Sequence, residues 1–139
     1  MKFHPDIKVF GDIKFRGDCP SETAEAVTFF AKIRMEYPDS YGLIATHVRN
    51  EGKRSVHQVA KQKAEGMTKG AADIIIPGAS TFVCELKRRD HTKSSWQDGQ
   101  QEYLLAAQAV GAFACVALGY EAAYSAFIYW KDKKNLHNK

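Results

Sequence analysis

The sequence has little cysteine, little proline and no long hydrophobic run. No apolar stretch approaches the roughly 20 residues needed to cross a bilayer as a helix. The opening MKFHPDIKVF lacks the apolar core of a secretory signal. Both point to a cytoplasmic protein with no membrane partner. The three cysteines, Cys19, Cys84 and Cys115, are an odd number without metal-ligand spacing. Cys84 and Cys115 sit in apolar, strand-like runs and read as buried structural thiols rather than disulfides or zinc ligands. His47, His57 and His91 also lack metal-like spacing. Repeats, low-complexity stretches and linkers are absent. The 139 residues suit one domain with a proper core and are too few for two.

What is present is an ordinary globular composition, 45% hydrophobic and 26% charged. The net charge of +4 is modest and favours a polyanionic partner. The placement of the charge says more. Between His47 and Lys69 there are six basic residues (Arg49, Lys53, Arg54, Lys61, Lys63, Lys69) against two acids, Glu51 and Glu65. A second basic cluster holds Lys87, Arg88, Arg89, His91 and Lys93. The basic tail KDKKNLHNK reads as a solvated end.

Hydrophobic spacing and breakers divide the chain. Ile7–Phe10 and Ile13–Arg16 alternate around Gly11-Asp12 and predict a small edge hairpin. Ser21 is a helix cap, followed by a helix over Glu22–Glu36 with acids in its first turn. Gly42–Val48 reads as a strand. A polar, basic loop, Arg49–Arg54, leads to a helix over Ser55–Glu65 that Gly66 stops. Two strands follow, Asp73–Pro77 and Thr81–Lys87, joined at Gly78. A helix from Trp96 or Gln97 to Val110, a buried strand Ala112–Leu118 and a helix Tyr120–Lys131 complete the order. This order predicts an α/β fold: a sheet covered by helices, with a central antiparallel hairpin and a parallel crossover to the last strand.

The hairpin carries the chemistry. Asp73 opens its first strand, and Glu85 and Lys87 lie near the end of its second. Glu85 and Lys87 are two apart, so they share one face. Charged side chains on such oily strands are rarely buried without a partner or a metal. Two carboxylates and a lysine suit a hard divalent cation beside an anion. The hairpin alone does not separate this from a surface salt bridge, which is common and weak.

Asp73, eleven residues, then Glu85-Leu86-Lys87 is the spacing of the PD-(D/E)xK nuclease core. More specifically, the chain resembles the VRR-NUC family, above all its small stand-alone phage and bacterial members. The residues carrying the likeness are Glu25 in an acidic first helix, Asn50-Glu51-Gly52-Lys53-Arg54, Lys63–Gly66, Lys69–Ile74, Cys84–Lys87, Gln100 with Tyr103-Leu104, and Gly111. The family's usual proline before the aspartate is Ala72 here.

The resemblance implies a restriction-endonuclease-like core, a mixed sheet with a central hairpin flanked by helices, in a single nuclease domain over residues 1–139. It implies a Mg²⁺- or Mn²⁺-dependent endonuclease acting on branched or duplex DNA as a homodimer related to Holliday-junction resolvases. Asp73, Glu85 and the Leu86 carbonyl are the implied metal ligands. Glu25 joins them through water or a second metal, with Glu22 its rival. Lys87 orients the attacking water and stabilises phosphate charge, and Gln100 hydrogen-bonds Lys87 or that water. Gln97 and Gln101 compete with Gln100, which the spacing to Tyr103 favours. DNA contacts fall to Asn50, Lys53, Arg54, Lys69, Arg88 and Lys93. Two other functions stand beside this one: a non-catalytic DNA-binding module on the same fold, and a sequence-specific restriction-type nuclease.

Overall fold

A computed structural model describes residues 1–48 and 55–137. The elements are strand β1 (Lys8–Phe10), helix α1 (Glu22–Glu36), the single-turn helix α2 (Tyr41–Ile44), strand β2 (Thr46–His47), helix α3 (Val56–Ala64), strands β3 (Ile74–Ile76) and β4 (Phe82–Lys87), helix α4 (Gln100–Ala109), strand β5 (Phe113–Leu118) and helix α5 (Tyr120–His137). A 3₁₀ turn, His91–Lys93, lies between β4 and α4. The five strands form one mixed sheet in the order β1-β5-β4-β3-β2. β3 pairs antiparallel with β2 and β4, whereas β4–β5 and β5–β1 are parallel. The central hairpin and the parallel crossover through α4 are thus both present.

β4 and β5 are buried along their whole lengths, as in strands covered on both faces, although β4 carries the charged Glu85 and Lys87. The pleat of β4 divides its side chains. Phe82, Cys84 and Leu86 enter a core with Phe29 and Ile33 of α1 and Phe127 and Trp130 of α5. Val83 faces the other way, towards Leu104 of α4 and Val116 of β5. Burying each such large apolar side chain contributes about 1.5–3 kcal/mol relative to leaving it exposed. Glu85 and Lys87 share the α4 side with Val83, because all three alternate with the first set.

Two expected elements differ. Ile13–Arg16 is not a strand. The Asp12 carboxylate accepts the Lys14 N–H at 2.9 Å and the Asp12 carbonyl accepts the Phe15 N–H at 3.2 Å, which curls the chain into a turn. β1 therefore has no hairpin partner and adds in parallel to β5 at the sheet edge. Gly42–Val48 is also not one strand. The Gly42 N–H bonds the Tyr37 carbonyl at 2.8 Å, and a Cβ on Gly42 would lie 2.5 Å from that oxygen. Lacking one, Gly42 lets α2 fold back on the end of α1, and only Thr46–His47 pairs with the sheet.

β4 extends past β3. The register places Ile74 opposite Cys84, and the pairing ends there, although β4 continues to Lys87.

Candidate active site

The end of β4 beyond β3 opens into a cleft of about 1330 Å³. One side is formed by α3 and the segment leading into β3, through Val59, Gln62, Lys63 and Met67. The other is formed by Lys93–Asp98. Glu22, Asp73, Glu85, Lys87 and Gln100 lie between them.

Asp73 occupies the place where the β3 ladder stops. Its Oδ2 accepts the Leu86 N–H at 2.9 Å, replacing a strand partner. The N–H and C=O of one strand residue point to the same edge, so the Leu86 carbonyl opens on the Asp73 side. Glu85, on the α4 face, is 1% exposed. Its Oε1 accepts from Gln100 Nε2 at 3.0 Å and lies 3.8 Å from Lys87 Nζ. Its Oε2 is the sole buried side-chain nitrogen or oxygen without a hydrogen-bond partner among the described residues. Burial pushes the Glu85 carboxyl well above the ordinary glutamate range. The Asp73 charge raises it further, and the opposing pull of Lys87 is smaller.

Lys87 is likewise 1% exposed. Its ammonium donates to the Ser95 carbonyl at 2.8 Å and to Gln100 Oε1 at 2.9 Å, and it lies over the Trp96 ring at 5.6 Å. An ammonium has three N–H donors, so one is left for the cleft that Lys87 lines. Gln100 orders the pair. Its oxygen accepts from Lys87 and from the Gln97 N–H, and its nitrogen donates to Glu85. A flipped amide would set donor against donor and acceptor against acceptor, so the network fixes its orientation.

Glu25 is not in the cleft. It is buried on α1, and its Oε2 accepts the Tyr120 N–H at 2.6 Å, capping α5. The helix N-terminus is where a carboxylate is most favoured. A Cβ on Gly119 would come within 2.6 Å of that oxygen, so glycine makes room for it. Glu22, nearly one turn earlier on α1, takes the expected position instead. It lines the cleft, accepts from Ser94 Oγ at 2.9 Å, and its charge helps raise Glu85.

The expected DNA contacts divide three ways. Lys69 and Lys93 line the cleft. Lys69 pairs with Asp98 at 3.5 Å; Lys93 donates to the Gly17 carbonyl at 3.0 Å and faces Asp18 at 3.9 Å. Arg88 does not face the cleft. Its guanidinium donates to the carbonyls of Cys19 at 2.6 Å and Pro20 at 3.0 Å, tying β4 to the chain before α1. Asn50, Lys53 and Arg54 lie outside the described residues.

No family model and no curated protein matches the sequence. A solved structure described as a VRR_NUC domain protein does align. Its TM-score is 0.66 at 19% sequence identity, over 83% of this chain and 89% of that one. The chain has the VRR_NUC fold. The resemblance read from the sequence and the aligned structure thus agree on the fold, a mixed five-stranded sheet flanked by helices. Within this VRR_NUC fold, Ser94, Ser95 and Trp96 join the site, and Glu22, the rival weighed against Glu25, lines the cleft. Ser94 and Ser95 reach it by unlike means, a hydroxyl holding Glu22 and a carbonyl holding Lys87. A backbone carbonyl leaves no mark in sequence.

Among the described residues, no three His, Cys, Asp or Glu side chains converge as a metal cage. The site brings two carboxylates to one point rather than three. With the Leu86 carbonyl they form an all-oxygen set, and Glu85 Oε2 is buried without a donor. That set fits a hard divalent cation that keeps several of its waters.

Proposed function

We propose that the cleft hydrolyses DNA phosphodiester bonds, as a Mg²⁺- or Mn²⁺-dependent endonuclease. The observation carrying this reading is the unpartnered Glu85 Oε2 beside Asp73, with Lys87 fixed alongside by Gln100. A buried carboxylate oxygen without a donor is unfavourable by about 1–3 kcal/mol, and such strain collects at functional sites.

Asp73, Glu85 and the Leu86 carbonyl would hold the cation. When bound, it supplies Lewis acidity and a water of lowered pKa. The protein's own groups do the rest. Lys87 directs its remaining N–H at the phosphate, offsetting charge that grows as the bond breaks. Gln100 prevents the ammonium from collapsing fully onto Glu85, keeping it aimed at the cleft. Glu22, held by Ser94, orients water at the cleft's other side. Lys69 and Lys93 place cations near the flanking phosphates.

Branched DNA is the proposed substrate and a homodimer the proposed assembly. One such site cuts one strand, so paired incisions in a junction require two sites related by a two-fold axis.

The test is cleavage of a four-way junction, a flap and a linear duplex side by side, with and without Mg²⁺. Mg²⁺-dependent cutting, strongest on the junction and lost in Lys87→Ala while DNA binding persists, is expected. Equal nicking by Lys87→Ala and wild type would remove the mechanism. DNA binding without cutting would favour the binding-module reading.

A further inference from the structure

Helix α3 is packed unlike the rest of the protein. None of its nine residues is buried, although it forms one side of the cleft. Local interactions hold it together. Ser55 and Gln58 form a reciprocal capping box, each side chain bonding the other residue's backbone N–H at 3.1 and 2.9 Å. At the far end the Gly66 N–H bonds the Lys63 carbonyl at 3.1 Å and the Met67 N–H bonds the Gln62 carbonyl at 2.9 Å. Caps alone leave a helix of this length marginal in water. Its exit is firmly seated, by contrast. Gly70 has φ +80°, and a Cβ there would lie 2.3 Å from the Gly99 carbonyl carbon. The arm is therefore anchored beside the start of α4, and none of its residues is buried.

Four lysines line the cleft: Lys63, Lys69, Lys87 and Lys93. Three have acidic partners, in Asp98, Glu85 and Asp18. Lys63 has no ion pair among the described residues. Its neighbour Lys61 points elsewhere, pairing with Glu65 at 3.8 Å outside the cleft.

We infer that α3 is an arm that closes on the sugar–phosphate backbone of the substrate, with Lys63 as its phosphate contact. The inference rests on the nuclease reading and adds how that site holds its strand. A phosphate beside Lys63 would supply the anionic partner that Lys63 lacks among the described residues. It also gives the arm a surface to pack on, so ordering of the helix and binding of the strand are coupled. Because Lys61 and Lys63 share one helix and one charge, a general electrostatic effect treats them alike and a cleft contact does not.

The test uses the full chain binding labelled duplex and junction DNA, with Ca²⁺ in place of Mg²⁺ to slow cutting. Lys63→Gln should weaken binding several-fold and lower the log–log salt slope by about 1, with Lys61→Gln close to wild type. Ala60→Gly, which alters no cleft-lining residue, should weaken binding by about fivefold through lower helix propensity. Amide exchange over residues 56–64 should slow when DNA is added. Equal affinity and salt slope for the two lysine variants, or wild-type binding by Ala60→Gly, overturns the inference. Wild-type cutting under Mg²⁺ then shows that the nuclease reading survives it. Absence of both binding and cutting in the wild type removes the two together.

Discussion

Glu25 accepts the backbone N–H of Tyr120 at 2.6 Å, and so ties helix α1 to the start of α5. Glu22, three residues earlier, faces the cleft. The two acids of one helical turn therefore have different duties, and substitution should separate them. Glu25→Gln should lower stability by about 1–3 kcal/mol, since it weakens a buried hydrogen bond to a charged acceptor. Glu22→Gln should melt close to wild type and lower cutting by about 10–100-fold, the usual effect of disturbing a group that orients a metal site. Thermal melts and single-turnover cleavage on both variants decide the matter. A cutting defect confined to Glu25→Gln would return that residue to the site.

Gln100→Leu tests the bridge between Glu85 and Lys87. The substitution removes one hydrogen bond from each partner while keeping an apolar body of similar size. Cutting should fall by about 10–100-fold with little change in DNA affinity. A matching loss of affinity would assign Gln100 to substrate binding instead.

Glu85 should link stability to pH and to the proposed cation. Its carboxyl is raised by burial first and by Asp73 second. A carboxyl raised on folding favours the protonated native state. Its contribution is therefore greatest below the ordinary glutamate range and is lost as pH rises through the raised value. The metal-free protein should thus lose stability across that window. Mg²⁺ should restore it, with a melting-temperature gain that grows with pH. Glu85→Gln gives Asp73 a donor and removes a charge. It should be about 1–3 kcal/mol more stable than metal-free wild type near neutral pH, and indifferent to Mg²⁺. Melts from mildly acidic to mildly basic pH, with Mg²⁺ and with chelator, provide the check.

Asp90 shifts the opposite way. Hydrogen bonds from the Thr92 hydroxyl and the Gly17 N–H hold its carboxyl down at about 2, from 3.8. A lowered carboxyl contributes stability above its ordinary value, and that contribution is lost as pH falls towards 2. Asp90→Asn should be less stable than wild type at neutral pH, and the gap should close as pH falls through this window. Acid-titrated melts of the two proteins show whether the curves converge.

The sequence revealed elements whose stabilisation is local or periodic. Ser21 marked the start of α1, the isoleucines and Pro77-Gly78 marked the hairpin, and two-residue alternation placed Glu85 and Lys87 on one face. Gln100 was identified by family spacing, and the structure shows it bonded to both. What escaped depends on distant packing. Glu22 and Glu25 are equally good first-turn acids, and only the position of α5 separates them. Arg88 belongs to a basic cluster, yet two carbonyls before α1 capture its guanidinium. The false hairpin at Ile13–Arg16 had the right alternation, but Asp12 curled it into a turn.

The early end of β3 has a consequence for how this site tolerates change. Had the ladder continued, Ala72 would face Leu86, and the Leu86 N–H and C=O would both be taken up by the neighbouring strand. The sheet would be more complete, and the Leu86 carbonyl, a ligand of the proposed cation, would be taken. The proposed chemistry depends on an unfinished seam, with Asp73 occupying the first open position. Substitutions that make residues 70–73 better strand formers should stabilise the protein as they silence it, so selection for stability alone would drive the site towards closure.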